Sequence, residues 1–203
     1  MLLLEGHNGE SRWAVWKITE SEEALQQLLD EKSVKEISSI RSGQRRIESL
    51  AVRALVATIL GHSTTIAHNE NGAPLLPDES NRHISISHTK GYAAILLSNY
   101  PCIGIDIEQI SNRVERVKDY FLHTEEKPKS LIGLLLHWCA KESAYKALHQ
   151  PGLSFRTALK ISDFTEELKG SFTLTAKMPK TGEKSLNINY LVGNDFILTM
   201  TYN

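Results

Sequence analysis

The spacing of apolar residues changes period several times along the chain. Ser21 followed by Glu22, Glu23, Ala24 and Leu25 has the form of a capped helix start, and the pattern predicts a helix to about Leu29. From Ser42 to Leu60, Ile47, Leu50, Ala51, Ala54, Leu55 and Leu60 recur at helical spacing, and Gly61 supplies a stop. The opposite face of that helix carries Arg45, Arg46, Ser49 and Arg53. Residues 67–82 are rich in turn formers, among them Asn69, Asn71, Gly72, Pro74, Pro77, Asp78 and Asn81. Strand signals follow: His83 to Ser87 alternates, Tyr92 to Leu97 is an apolar run, and Ile103 to Ile107 alternates again after Pro101. Helical spacing returns over Val114–Phe121 and, strongly, over Leu131–Leu148, before Gly152. Three strands are predicted near 171–176, 186–192 and 196–202. The expected fold class is therefore α+β, with antiparallel sheets and long helices in two halves. The predicted division falls at Asn99-Tyr100-Pro101, giving lobes of 1–100 and 101–203 without a flexible linker.

Composition changes this picture little. The chain is 41% hydrophobic and 23% charged, with 23 basic and 24 acidic side chains and a net charge of −1. That balance lacks the basic excess of a nucleic-acid or membrane-surface binder, so an anionic ligand must be held by a local cluster of cations. Cys102 and Cys139 lie in apolar stretches without metal-ligand spacing, which points to reduced, buried thiols and a cytoplasmic protein. The apolar run Met1–Leu4 is too short for a signal-peptide core, and no later segment is long enough to span a bilayer.

Three stretches carry candidate chemistry. In Gly104-Ile105-Asp106-Ile107-Glu108, strand alternation projects Asp106 and Glu108 from one face. Two like charges so placed repel unless a cation such as Mg²⁺ lies between them; the alternative is a solvated edge-strand face. In Trp138-Cys139-Ala140-Lys141-Glu142-Ser143-Ala144-Tyr145-Lys146, the residues Trp138, Glu142 and Lys146 share a helix face. Glu142 and Lys146 read either as a surface ion pair or, beside a tryptophan, as a partly buried carboxylate available to a metal. Ser85-Ile86-Ser87-His88-Thr89 ends a strand in groups that bind phosphate or cap the following turn. No Walker loop, nucleophile elbow or zinc-like His/Cys spacing occurs.

In order and spacing these stretches resemble the 4'-phosphopantetheinyl transferase superfamily, in its monomeric two-lobed type. The residues that carry the resemblance are Ser87-His88-Thr89, Gly104-Ile105-Asp106-Ile107-Glu108 and Trp138-x-x-Lys141-Glu142-x-x-x-Lys146, and it extends from about Gln44 to Leu159. The resemblance implies two similar α/β lobes related by a pseudo-twofold axis, with coenzyme A in the cleft between them. It implies Mg²⁺ on Asp106, Glu108 and Glu142, and coenzyme A contacts from Arg46, Arg53, Ser87, His88, Lys141 and Lys146. Lys146 would stabilise the leaving 3',5'-ADP, and Glu125, or Glu126 beside it, would be the general base. The implied activity is transfer of 4'-phosphopantetheine from coenzyme A to a serine of an acyl or peptidyl carrier protein, by a cytoplasmic monomer. The alternatives are a non-catalytic coenzyme A binder of the same fold and a module that docks carrier proteins without transfer. Two departures from the family pattern stand out: Ala73 replaces the usual lysine in Asn71-Gly72-Ala73-Pro74, and Gln44 stands where relatives have arginine.

Overall fold

Strand and helix signals of the sequence resolve, in a computed structural model that describes residues 1–202, into two units, Met1–Pro101 and a second beginning at Cys102. In the first unit, β1 (Leu2–Asn8), β2 (Ser11–Lys17), β5 (His83–Thr89) and β6 (Tyr92–Ser98) form an antiparallel sheet in the order β1-β2-β6-β5. The β5–β6 hairpin turns on Lys90-Gly91, where Gly91 at φ 83° takes a conformation that side chains disfavour. Helices α1 (Glu22–Gln26), α2 (Glu31–Ser38) and α3 (Gly43–Leu60) accompany this sheet. A small ladder of β3 (Ala67–His68) and β4 (Pro74–Leu75) lies in the turn-rich stretch.

Helix α3 starts and stops where the sequence indicates. The Ser42 hydroxyl accepts from the Arg45 amide, and Gly61, at φ 81°, donates its amide to the Ala57 carbonyl. Its buried residues include Leu50, Ala51, Ala54, Leu55 and Ile59, which join Ala14, Trp16, Leu25, Ala93 and Ile95 in one apolar core. The expected helix to Leu29 ends earlier, at Gln26, and Asp30 caps the separate helix α2.

The second unit has a five-stranded antiparallel sheet, β7-β11-β10-β9-β8. Its strands are β7 (Gly104–Gln109), β8 (Leu159–Ile161), β9 (Lys169–Met178), β10 (Gly182–Val192) and β11 (Phe196–Thr201). Helix α5 (Leu131–Leu148) packs on β7 and β11, while a 3-10 turn (Asn112–Arg116), α4 (Lys118–Phe121) and α6 (Phe155–Ala158) are short. Leu135, Leu136, Cys139, Ala140 and Ala144 of α5 meet Phe172, Leu174, Leu186 and Ile188 of the sheet in a second core. Cys139 is fully buried as expected, but Cys102 is only half-buried, because it precedes β7 instead of lying inside an element. Among the described residues, no helix is long and apolar enough to cross a membrane.

Candidate active site

Gly104 sets the geometry of the site. A Cβ at this position would run into the Ser143 carbonyl of α5, so the missing side chain lets helix and strand backbones touch. Ser143 reinforces the contact: its hydroxyl bonds Thr199 Oγ1 at 2.6 Å and donates to the Thr199 carbonyl at 3.1 Å. Thr199 is the register partner of Asp106. The polar face of β7 therefore lies under α5, and Asp106 is buried with only 5% exposure. Ile105 and Ile107, on the other face, are buried too.

Two side chains of α5 reach the β7 carboxylates. Lys146 Nζ donates to Asp106 Oδ1 at 2.7 Å and to the Ile105 carbonyl at 2.9 Å. Trp138 Nε1 donates to Glu108 Oε1 at 2.8 Å, its indole held between Phe121 and Phe155 at centroid distances of 5.2 and 5.9 Å. Glu142 lies in the same electrostatic environment. Burial first, then the charge of Asp106, raises both glutamates above the ordinary carboxylate range, and Glu142 reaches about 7. Lys146 opposes this rise in both.

The chemistry of this donor set fits a hard cation. Two glutamates whose pKa values are raised by burial and by the charge of Asp106 gain most from a divalent ion bound through oxygen. Among the described residues, however, no three His, Cys, Asp or Glu side chains converge on one point that could hold an ion. Trp138 and Lys146 explain the open arrangement, since each holds one carboxylate oxygen of β7.

The other expected residues divide by what already occupies them. Lys141, expected at phosphate, is fully buried. Its Nζ donates to Glu126 Oε2 at 2.6 Å and to the carbonyls of Phe121 and Phe155 at 2.8 and 3.3 Å. Glu126 also accepts from the amides of His123 and Ile161. The charge and hydrogens of Lys141 are thus spent on an internal clamp between α5, the end of α4 and β8. Glu126 is thus bonded internally, whereas Glu125 is 65% exposed and paired at 2.6 Å with Lys160, 45% exposed. That lysine holds the Glu125 carboxyl below its usual range.

Arg46 is similarly engaged within the chain. Its Nε and Nη2 fork the Glu22 carboxylate at 2.6 and 3.0 Å, and Nη1 donates to the Ile40 and Arg41 carbonyls. The fork expected for phosphate is thus engaged by the first turn of α1. Arg53 keeps more in reserve: Nη2 meets Glu36 at 3.3 Å, while the buried Nε has no hydrogen-bond partner among the described residues. His88 is half-exposed, with Nδ1 at 3.2 Å from Glu48, and Gln44 Nε2 donates to the other oxygen of that carboxylate. Ser87 is buried in β5. The turn containing Ala73 is intact: Ala73 donates to Asn69 Oδ1, and its carbonyl accepts from the Asn69 amide. The Trp138–Glu108 bond and the Lys160–Glu125 pair were not anticipated. The helix pattern put Trp138 on the Glu142 face, but nothing local shows that Glu108 lies opposite.

A helix laid across the carboxylate face of an edge strand, with lysine and tryptophan holding that face, defines the class. The profile of the 4'-phosphopantetheinyl transferase superfamily matches residues 102–201, which contain this whole arrangement. Residues 102–201 therefore carry a domain of that superfamily. A search of curated proteins returns no match.

Proposed function

We propose that the protein transfers the 4'-phosphopantetheine group of coenzyme A to a serine of an apo acyl or peptidyl carrier protein, releasing 3',5'-ADP. The observation that carries this reading is the superfamily match over the unit in which Asp106, Glu108 and Glu142 share one buried, charge-coupled environment. Asp106, Glu108 and Glu142 are the residues that would hold Mg²⁺, after side-chain rotation frees them from Lys146 and Trp138. Bound there, the ion supplies charge neutralisation at a pyrophosphate. Lys146, released from Asp106, keeps its ammonium beside the same strand and donates to the departing phosphate oxygens. Glu125 would accept the proton of the carrier serine once Lys160 yields its carboxylate. The serine oxygen then forms a bond to the β-phosphorus as the bond to 3',5'-ADP breaks.

In the first unit, the free Nε of Arg53 and the half-exposed ring of His88 support their assignment to coenzyme A. Ser87 belongs to the same assignment through its place beside His88 in β5. Each unit carries one 18-residue helix with an antiparallel sheet, which supports the two-lobed type. The free cysteines favour the cytoplasm.

The test is intact mass of a panel of apo carrier proteins incubated with this protein, coenzyme A and Mg²⁺. One added phosphopantetheine, lost on chelation and with Asp106→Asn, supports the reading. Calorimetric binding of coenzyme A with no mass gain on any carrier replaces it with the non-catalytic binder.

A further inference from the structure

The two cysteines differ in a way that the proposed activity does not use. Cys139 is fully buried, donates to the Asp106 carbonyl at 3.2 Å, and has its thiol pKa pushed up by burial; it is chemically inert. Cys102 is half-buried and free, and Lys184 Nζ lies 2.9 Å from its sulfur across 82 residues of chain. Lys184 sits on β10, on the far side of β11 from β7, and Cys102 stands two residues before β7 begins. A partly accessible thiol with a primary amine against it has a preset nucleophile for its oxidised form.

We propose that Cys102 and Lys184 form a peroxide-dependent covalent bridge, a Sγ–Nζ sulfenamide joining the start of β7 to β10. In the first step Cys102 gives up its proton and attacks hydrogen peroxide as the thiolate, the proton completing the departing water. The O–O bond breaks, Sγ gains one oxygen as sulfenic acid, and one water leaves. In the second step Lys184 Nζ, after its ammonium gives up a proton to solvent, attacks Sγ. The S–N bond forms, the S–O bond breaks, and the hydroxyl departs with an amine proton as a second water. Sulfur is oxidised by two electrons and one peroxide is reduced to two waters. A thiol reductant reverses the bridge by attack on sulfur, which returns the amine. A sulfenic acid left uncaptured is open to further oxidation to irreversible sulfinic acid; capture by Lys184 prevents that. The bridge closes a long loop and so restrains the strand that carries Asp106 and Glu108.

The test is peptide mapping of the full chain after stoichiometric hydrogen peroxide. The expected product is one joined peptide pair containing Cys102 and Lys184, lighter than the sum of its parts by two hydrogens, uncut by trypsin at Lys184, and dissolved by dithiothreitol. Cys102→Ser and Lys184→Arg each abolish it, the latter with the positive charge retained. Recovery of Cys102 as thiol, sulfinic acid or an intermolecular disulfide, with trypsin cutting normally at Lys184, overturns the proposal.

Discussion

Replacing Lys141 with methionine separates an internal clamp from a phosphate ligand. The substitution preserves most of the side-chain volume but withdraws the charge that faces Glu126 and the donors used by the Phe121 and Phe155 carbonyls. Glu126 keeps its bonds from the His123 and Ile161 amides, so the carboxylate stays buried with no countercharge. Breaking a buried ion pair from one side costs about 3–5 kcal/mol, because the abandoned charge keeps its desolvation penalty. Against a total stability on the order of 5–15 kcal/mol, that loss leaves a folded but weakened protein. At roughly 2–4 °C per kcal/mol for a chain of this size, the thermal midpoint should fall by roughly 6–20 °C. Urea unfolding supplies the free energy, and Glu126→Gln completes a double-mutant cycle. The double variant should recover part of the loss, with a coupling of about 1–3 kcal/mol. A loss under about 1 kcal/mol for Lys141→Met, or strict additivity in the cycle, refutes the clamp. Calorimetry at a temperature where the variant is folded should show wild-type affinity for coenzyme A. A large drop there would return Lys141 to the phosphate.

Further outcomes follow from the same geometry. Glu142, raised to about 7 by burial and by Asp106, binds its proton more tightly folded than unfolded. Its contribution is therefore fully present below the unfolded pKa of about 4.3 and is lost as pH climbs to about 7, a fall on the order of 3 kcal/mol. Urea titrations from pH 4 to 8 should show that fall, Glu142→Gln should remove it, and added Mg²⁺ should restore stability at pH 8 far more than at pH 5. Gly104→Ala drives a methyl group into the Ser143 carbonyl and should cost about 1–3 kcal/mol, read in urea, with loss of transfer as α5 lifts from Asp106. Arg46→Gln should lower the thermal midpoint by freeing Glu22 yet leave coenzyme A affinity unchanged by calorimetry. A selective affinity loss would show that the fork turns to the ligand.

What the sequence conveys, and what it withholds, follows from the range of each interaction. Helices α3 and α5 are legible because their determinants are local: apolar residues at helical spacing, Ser42 and Gly61 at the ends of one, Ser130 capping the other. Strand β7 is legible because Asp106 and Glu108 alternate with isoleucines, although period alone did not show that the carboxylate face is the one lying under α5. Strands β1 and β2 escaped prediction, and the burial of β2 gives the reason: Ala14, Val15 and Trp16 are all buried, so the alternation that marks a strand with one wet face is missing. The short β8 and the helix α2 are too brief to establish a period. The internal partners of Lys141 and Arg46 escaped the sequence for a different reason. Helical spacing places each cation on a face, yet their partners lie 15 and 24 residues away, in elements that only folding brings near. A cation opposite a buried carboxylate and a cation opposite a ligand phosphate have the same local sequence. The tertiary partner separates them: Lys141 and Arg46 have met theirs within the chain, while Arg53 retains an unsatisfied Nε. On that ground, the positive charge for an anionic ligand is better sought at Arg53 than at Lys141 or Arg46, whose partners lie within the chain.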